Sequence, residues 1–311
     1  MKATTPMIDF IEAWLDTFKK NQVKQATMDR LLQSKKALAD YEIANIPVGE
    51  IDYFDIQRYI NELVTNGYGI STIKKQVQIV TAPLRQAAAL RVIPADPSAG
   101  IRMPSEKKVQ KKSKEVFAYD DQEQAKLNAV IDTEPYGIGY QAISFMIETG
   151  IRAGELLALK WSDISIPGKR MKVHATIIHP LDGDAAIYQD SPKTSSSNRT
   201  VPLTPKAIEI LERMKEDNTT VWVFSQDDKR YTYQKLMWQT KKLCKTAGVP
   251  YKGEHVFRHT FATNCYYKGI DVKILSKLLG HADTNITYKT YINLYGDGFD
   301  DMYNALCAKH A

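Results

Sequence analysis

The sequence predicts a mainly α-helical protein of two domains, with a small antiparallel β-sheet confined to the second, an α+β class. Three observations predict it. Apolar residues recur at helical intervals through roughly the first hundred positions, and a proline-rich stretch followed by a lysine run then interrupts the chain near residue 105. Beyond residue 165, short alternating runs separated by turn residues stand among further helical segments.

The helices come first. Ile8, Ile11, Trp14, Leu15 and Phe18 form one apolar stripe, broken by Asp9, Glu12 and Asp16 as in an amphipathic helix and unlike a secretory signal. Met28, Leu31, Leu32, Ala39 and Tyr41 outline a second helix. Phe54, Ile56, Tyr59, Ile60 and Leu63 outline a third, ended by "NGYG". Ser71 is the expected cap of a fourth, running through Ile73, Val77, Val80, Leu84 and Ala88. Lys74, Lys75, Arg85 and Arg91 lie along it, where an ordinary solvated face would also carry them. Four helices in this length read as a small bundle.

The break follows. "IPADPSAGIRMP" leads into "SEKKVQKKSKE", which holds five lysines in eleven residues, so residues 105–115 read as a basic linker between domains at 1–104 and 116–311. Net charge is +6, and residues 1–115 carry most of it, with 18 Lys and Arg against 13 Asp and Glu. Lys107, Lys108, Lys111 and Lys112 suit a solvated segment and equally a phosphate backbone, whose counterions such a segment displaces. No run of apolar residues approaches the length of a membrane span. Cys244, Cys265 and Cys307 are far apart and odd in number, neither a zinc spacing nor a disulfide framework, which fits packing thiols in a reducing cytoplasm.

In the second domain, helices are expected at about 120–133 and 136–148. "RMKVHATIIH", "AIYQDS" and "NRTVPL" read as strands joined by the turns "PLDGDA" and "PKTSSSN", and helices alone are expected from Thr204 onward.

Four clusters there could carry chemistry. In "ETGIRAGELLALKW", Thr149-Gly150 ends one helix and Arg152 falls at the start of the next, where the helix dipole disfavours a cation and favours Glu155. An arginine so placed makes sense if it and the free amides share an anion, or if it pairs with a carboxylate. Lys193 sits on the polar turn "SPKTSSSN", able to reach a ligand held by the rest of the domain. In "GEHVFRHTFATN", His255 and Arg258 share a helix face, and His259 adds an imidazole. With no third ligand near His255 and His259, metal binding is not expected. In "LSKLLGHADTNITYKTYINL", Gly280 reads as a helix C-cap with His281 directly after it, ahead of Tyr288 and Tyr291. Arginines and a lysine converging on one point suit a phosphate, and a tyrosine hydroxyl activated by such neighbours can act as a covalent nucleophile. The reaction so implied is transesterification of a phosphodiester through a phosphotyrosine, with no cofactor.

This ordered set resembles the tyrosine recombinase (phage integrase) family. "TGIRAGELLAL", "SPKTSSSNRTVPL", "HVFRHTFAT", "LLGHADTNIT" and "TYIN" stand in the family's order and at family-like intervals, and the N-terminal helices resemble its core-binding domain. The resemblance implies Arg152 and Arg258 as clamps on the scissile phosphate and Lys193 as general acid for the 5′-hydroxyl. It implies His255 and His281 as hydrogen-bonding or proton-transfer groups and Glu155 as support. Tyr291, ten residues after His281, is the implied nucleophile, while Tyr288, seven after it, is packing. A 3′-phosphotyrosyl link, a C-shaped clamp of two domains on double-stranded DNA and a homo-tetramer assembled through the tail "GDGFDDMYNALCAKHA" are further implications, with accessory directionality proteins and a cytoplasmic, nucleoid-associated location. Lys74, Lys75, Arg85 and the four linker lysines become candidate DNA contacts. The arm-binding domain of many phage integrases is expected to be absent or removed. A Xer-type resolvase, a type IB topoisomerase and a catalytically inactive DNA-binding relative are the alternatives; relaxation of supercoiled DNA lacking a specific site would mark the topoisomerase.

Overall fold

The computed structural model describes residues 2–105, 109, 118–134, 137–178, 186–190, 198–216, 218–281, 283–284 and 287. They fall into two compact units, one within residues 1–114 and one within 115–311.

The first unit is helical: α1 Met7–Phe18, α2 Gln25–Leu38, α3 Tyr53–Thr65 and α4 Ile70–Ala89, with one 3-10 turn at Glu42–Ala44. Each of α1, α2 and α3 packs on α4. The buried stripe of α1 is Met7, Phe10, Ile11, Trp14 and Leu15, one position round from the expected one, because three- and four-residue spacings admit two overlapping stripes. α3 starts on a reciprocal cap in which Asp52 and Asp55 each accept the other's backbone N–H.

Several expectations need correction here. Gly69, not Ser71, is the N-cap of α4, and Ser71 lies in its first turn. Ala39 and Tyr41 lie beyond the end of α2, and Leu32 and Phe54 face solvent although they are on phase with the apolar stripes. Arg91 is past α4, in left-handed backbone with φ 58°. Lys74, Lys75 and Arg85 are exposed on α4, and Arg85 pairs with Asp96 at 3.4 Å.

The second unit is built round α6 (Ile138–Thr149), buried on nearly every side and packed by α8 (Pro205–Glu216), α9 (Tyr233–Ala247) and α10 (His255–Tyr267). α5 (Asp121–Ile131), α7 (Ala153–Leu157) and α11 (Val272–Leu279) complete its helices among the described residues. A three-stranded antiparallel sheet orders β1 (Ile164–Ser165), β2 (Arg170–Val173) and β5 (Arg199–Pro202), with Met171 opposite Val201 and Val173 opposite Arg199. β3 (Thr176–Ile178) and β4 (Ile187–Gln189) pair separately, so the run "RMKVHATIIH" is two strands that part company at His174-Ala175. A hairpin of β6 (Ser225–Gln226) and β7 (Lys229–Arg230) interrupts the region expected to be helical throughout. Its turn residues Asp227 and Asp228 have φ 54° and 55°, the left-handed pair that a two-residue hairpin requires.

Candidate active site: a cluster of arginine and histidine

α6 ends where Gly150 takes left-handed backbone, φ 63°, and a Cβ there would lie 2.3 Å from the Phe261 ring of α10. That close approach lets α7 begin two residues later with Arg152 as its N-cap. Gly154 in the same turn lies against β3, where a Cβ would meet the Ile177 carbonyl oxygen at 2.8 Å. Both glycines of "TGIRAGE" therefore set where Arg152 stands.

Glu155 is the hub. Its carboxylate accepts from the Arg152 backbone N–H at 3.0 Å and from the Arg152 guanidinium at 2.7 Å. The buried Arg199 guanidinium then grips it with two bonds, of 3.0 and 2.8 Å. Burial alone would raise the Glu155 pKa, but the hydrogen bonds and charge of Arg199, followed by those of Arg152, reverse the effect and bring it to about 2. Arg199 also donates through Nε to the Leu278 carbonyl at 2.7 Å, so one side chain joins β5, α7 and α11. The arginine, at a helix N-terminus that disfavours its charge, is thus held by a carboxylate in the same first turn, where the dipole favours one, while a third of its side chain stays open to solvent.

Arg258 is almost wholly buried at 1 % exposure. Its guanidinium donates to the Gly150 carbonyl at 3.0 Å and to the Leu279 carbonyl, bridging the C-terminal ends of α6 and α11. Gly280 takes the left-handed C-cap position expected of it, φ 66°. His281 follows, its Nδ1 2.7 Å from the buried Thr287 hydroxyl. Desolvation and then the charges of Arg258, Arg152 and Arg199 push the His281 pKa down to about 4. His255 keeps an exposed face at the start of α10 and is lowered likewise, by desolvation and then by Arg258 and Arg152. His259 stacks edge-on against it with ring centroids 4.8 Å apart, and desolvation with the neighbouring His255 and Arg258 lowers it to about 4. Among the described residues no three His, Cys, Asp or Glu side chains are grouped to hold a metal ion.

The structure therefore brings together Arg152, Glu155, His255, Arg258 and His281 from three separate stretches of sequence. Lys193, Tyr288, Tyr291 and the linker residues Lys107, Lys108, Lys111 and Lys112 lie outside the described residues. Sequence reasoning missed Arg199, hidden in a run read only as strand. The signal was present: Arg199 is in phase with Val201 and Leu203, the buried face of "NRTVPL", and a charge on that face demands a buried partner.

The geometry has relatives. The profile of the phage integrase family matches residues 118–296. Over most of both chains, the sequence is 28% identical to a XerC-like tyrosine recombinase of Caldanaerobacter subterraneus subsp. tengcongensis, covering 92% of this chain and 78% of the relative. It is 30% identical to the tyrosine recombinase XerA of Saccharolobus solfataricus, covering 80% and 76%, and 23% identical to the integrase of Staphylococcus phage L54a, covering 91% and 87%. Among solved structures, the Tn1549 transposon integrase in complex with a circular intermediate DNA shares the fold with a TM-score of 0.82 at 17% identity, covering 98% of this chain and 99% of that one. A lambda integrase tetramer bound to a Holliday junction shares it with a TM-score of 0.66 at 17% identity, covering 92% and 77%. The chain belongs to the phage integrase family and is a tyrosine recombinase, an enzyme that breaks and rejoins DNA strands.

Proposed function

We propose that this chain recombines duplex DNA at specific sites as the integrase of a mobile element, through a 3′-phosphotyrosyl intermediate. One observation carries the reading. Three guanidinium groups and the His255 imidazole act on His281, and Glu155 is the one carboxylate between two of those guanidinium groups, an excess of positive charge suited to a phosphodiester. Arg152 and Arg258 hold the scissile phosphate. The Tyr291 oxygen passes its proton to His255 or His281 and forms the new bond to phosphorus, the bond to the 5′-oxygen breaks, and Lys193 supplies that oxygen's proton. His255 and His281 are uncharged near neutral pH, so each can hydrogen-bond the phosphate or relay a proton. In His281 the Thr287 hydroxyl takes Nδ1 and leaves Nε2 for the substrate. Glu155 and Arg199 keep Arg152 in place.

In the same reading residues 1–104 form the core-binding domain, 105–115 the basic linker and 116–311 the catalytic domain, working in the cytoplasm. Lys74, Lys75, Arg85 and the linker lysines meet DNA backbone, and four protomers assemble through their C-terminal tails, with accessory proteins setting direction. A Xer-type resolvase is the second reading, favoured by the likeness to the XerC-like and XerA proteins. Recombination that needs a chromosomal site and no element end would decide for it.

The test starts by mapping where the protein binds and cleaves in its own genomic flanks. A nicked suicide duplex of that site then traps the covalent adduct. Tyr291→Phe abolishes the adduct and Tyr288→Phe retains it; an adduct that persists in Tyr291→Phe refutes the assignment.

A further inference from the structure

His174 stands where β2 gives way to β3, and each of its ring nitrogens faces a carboxylate. Nε2 is 2.9 Å from Asp163 Oδ1 and Nδ1 is 2.9 Å from Asp190 Oδ1. Asp163 is nearly buried, and its other oxygen accepts from the Lys160 backbone N–H at 3.0 Å, closing the turn that follows α7. Asp190 is largely exposed and directly follows β4. A second side chain spans the same gap: the Lys160 ammonium lies over the Tyr188 ring of β4, 4.3 Å from its centroid. The hairpin needs such ties. β3 and β4 pair over three residues each and among the described residues join no larger sheet, and a two-stranded hairpin alone is marginal in water. The turn at 160–163, directly beyond the helix that carries Arg152 and Glu155, thus grips β4 at Tyr188 and, through His174, the Asp190 that follows it. Past the intervening segment, the chain is fastened again by Arg199 on Glu155 and Leu278.

Lys193 is three residues along the chain from Asp190. We propose that His174 is a positioning residue for strand cleavage, joining Asp163 to Asp190 and so fixing the point from which the chain runs on to Lys193. This rests on Lys193 acting as the general acid. His174 itself touches no reacting atom. Its loss weakens protonation of the departing 5′-oxygen and leaves phosphate binding and nucleophilic attack in place.

The leaving group provides the test. Replacing the bridging 5′-oxygen of the suicide duplex by sulfur gives a thiolate that departs without a proton, so a defect in acid catalysis disappears on that substrate. General acid catalysis is worth about 10²–10⁴-fold, of which a mispositioned acid forfeits part. On the oxygen substrate, His174→Ala and Asp190→Ala are each expected to cleave about 10–100-fold more slowly than the parent, and the double variant no more slowly than the worse single one. On the sulfur substrate, all three fall within about threefold of the parent. Asp190 is exposed, so its variant stays folded and informative should His174→Ala not. Equal losses on both substrates, or no loss on oxygen, overturn the proposal. Lys193→Ala separates the two layers of inference. If sulfur fails to restore that variant, the general-acid reading falls and the positioning role with it. If sulfur restores Lys193→Ala and not His174→Ala, only the positioning role falls.

Discussion

Replacing Glu155 with glutamine takes one negative charge from between two guanidinium groups while keeping the side chain's shape. Its carboxylate is 7% exposed, so solvent screens little of what it does. A carboxyl moved from its ordinary 4.5 to about 2 represents about 3 kcal/mol of folding free energy. The sign follows from the direction: because the folded protein holds the proton less tightly, the contribution is complete above pH 4.5 and is lost as pH falls toward 2. Glutamine also turns an NH₂ group toward the fork of Arg199, so the uncompensated buried arginine keeps the cost within about 3–5 kcal/mol. Urea denaturation of parent and Glu155→Gln at pH 7, followed by tryptophan fluorescence, should show this loss in the transition of the second unit. Repeated at lower pH, the gap should narrow below pH 4.5. A cost under about 1 kcal/mol at pH 7, or one that stays constant down to pH 3, would refute the view of Glu155 as the charged hub.

Two further outcomes are expected. Arg258→Lys keeps the charge but cannot bridge the Gly150 and Leu279 carbonyls with one planar fork. Covalent adduct should form about 10²–10³-fold more slowly, with about 2–3 kcal/mol of stability lost from the orphaned acceptors, both read in the assays above. His281 lies at about 4 in the free protein, and a bound phosphate raises it, so binding takes up a proton. Affinity for the cleavage-site duplex, measured by anisotropy at fixed salt, should rise as pH falls from 7 toward 5, and His281→Asn should flatten that slope.

Helices were readable because burial writes itself as a period: the stripes of α1 and α3 and the glycines closing α6 and α11 could be found by spacing alone. Period says less about which phase wins. Phe54 is on the stripe of α3 and faces water, because what covers a stripe is decided by other segments. Arg152 and Glu155 were legible through the polarity of a helix end, a property local in sequence. Arg199 was not, since its meaning depends on Glu155, which stands 44 residues away, and on the Leu278 carbonyl, 79 residues away. The β6–β7 hairpin escaped notice because its turn is Asp-Asp in place of the more recognisable Asn-Gly, and its strands are two residues long. The split between β2 and β3 escaped for a related reason. Alternation runs on through His174, and only pairing partners reveal that the chain changes sheets there.

The bridge that Arg258 makes between the ends of α6 and α11 has a kinetic consequence. Its charge rests against the negative poles of two helices and is fixed there by hydrogen bonds within the domain itself. A cation already frozen in place has no rotamers left to surrender when a phosphate arrives, and no solvent shell to rearrange during each turnover. The ordering cost is incurred once, as the domain folds. Anything that loosens the junction of α6 and α11 should therefore slow strand cleavage long before it lowers affinity for DNA.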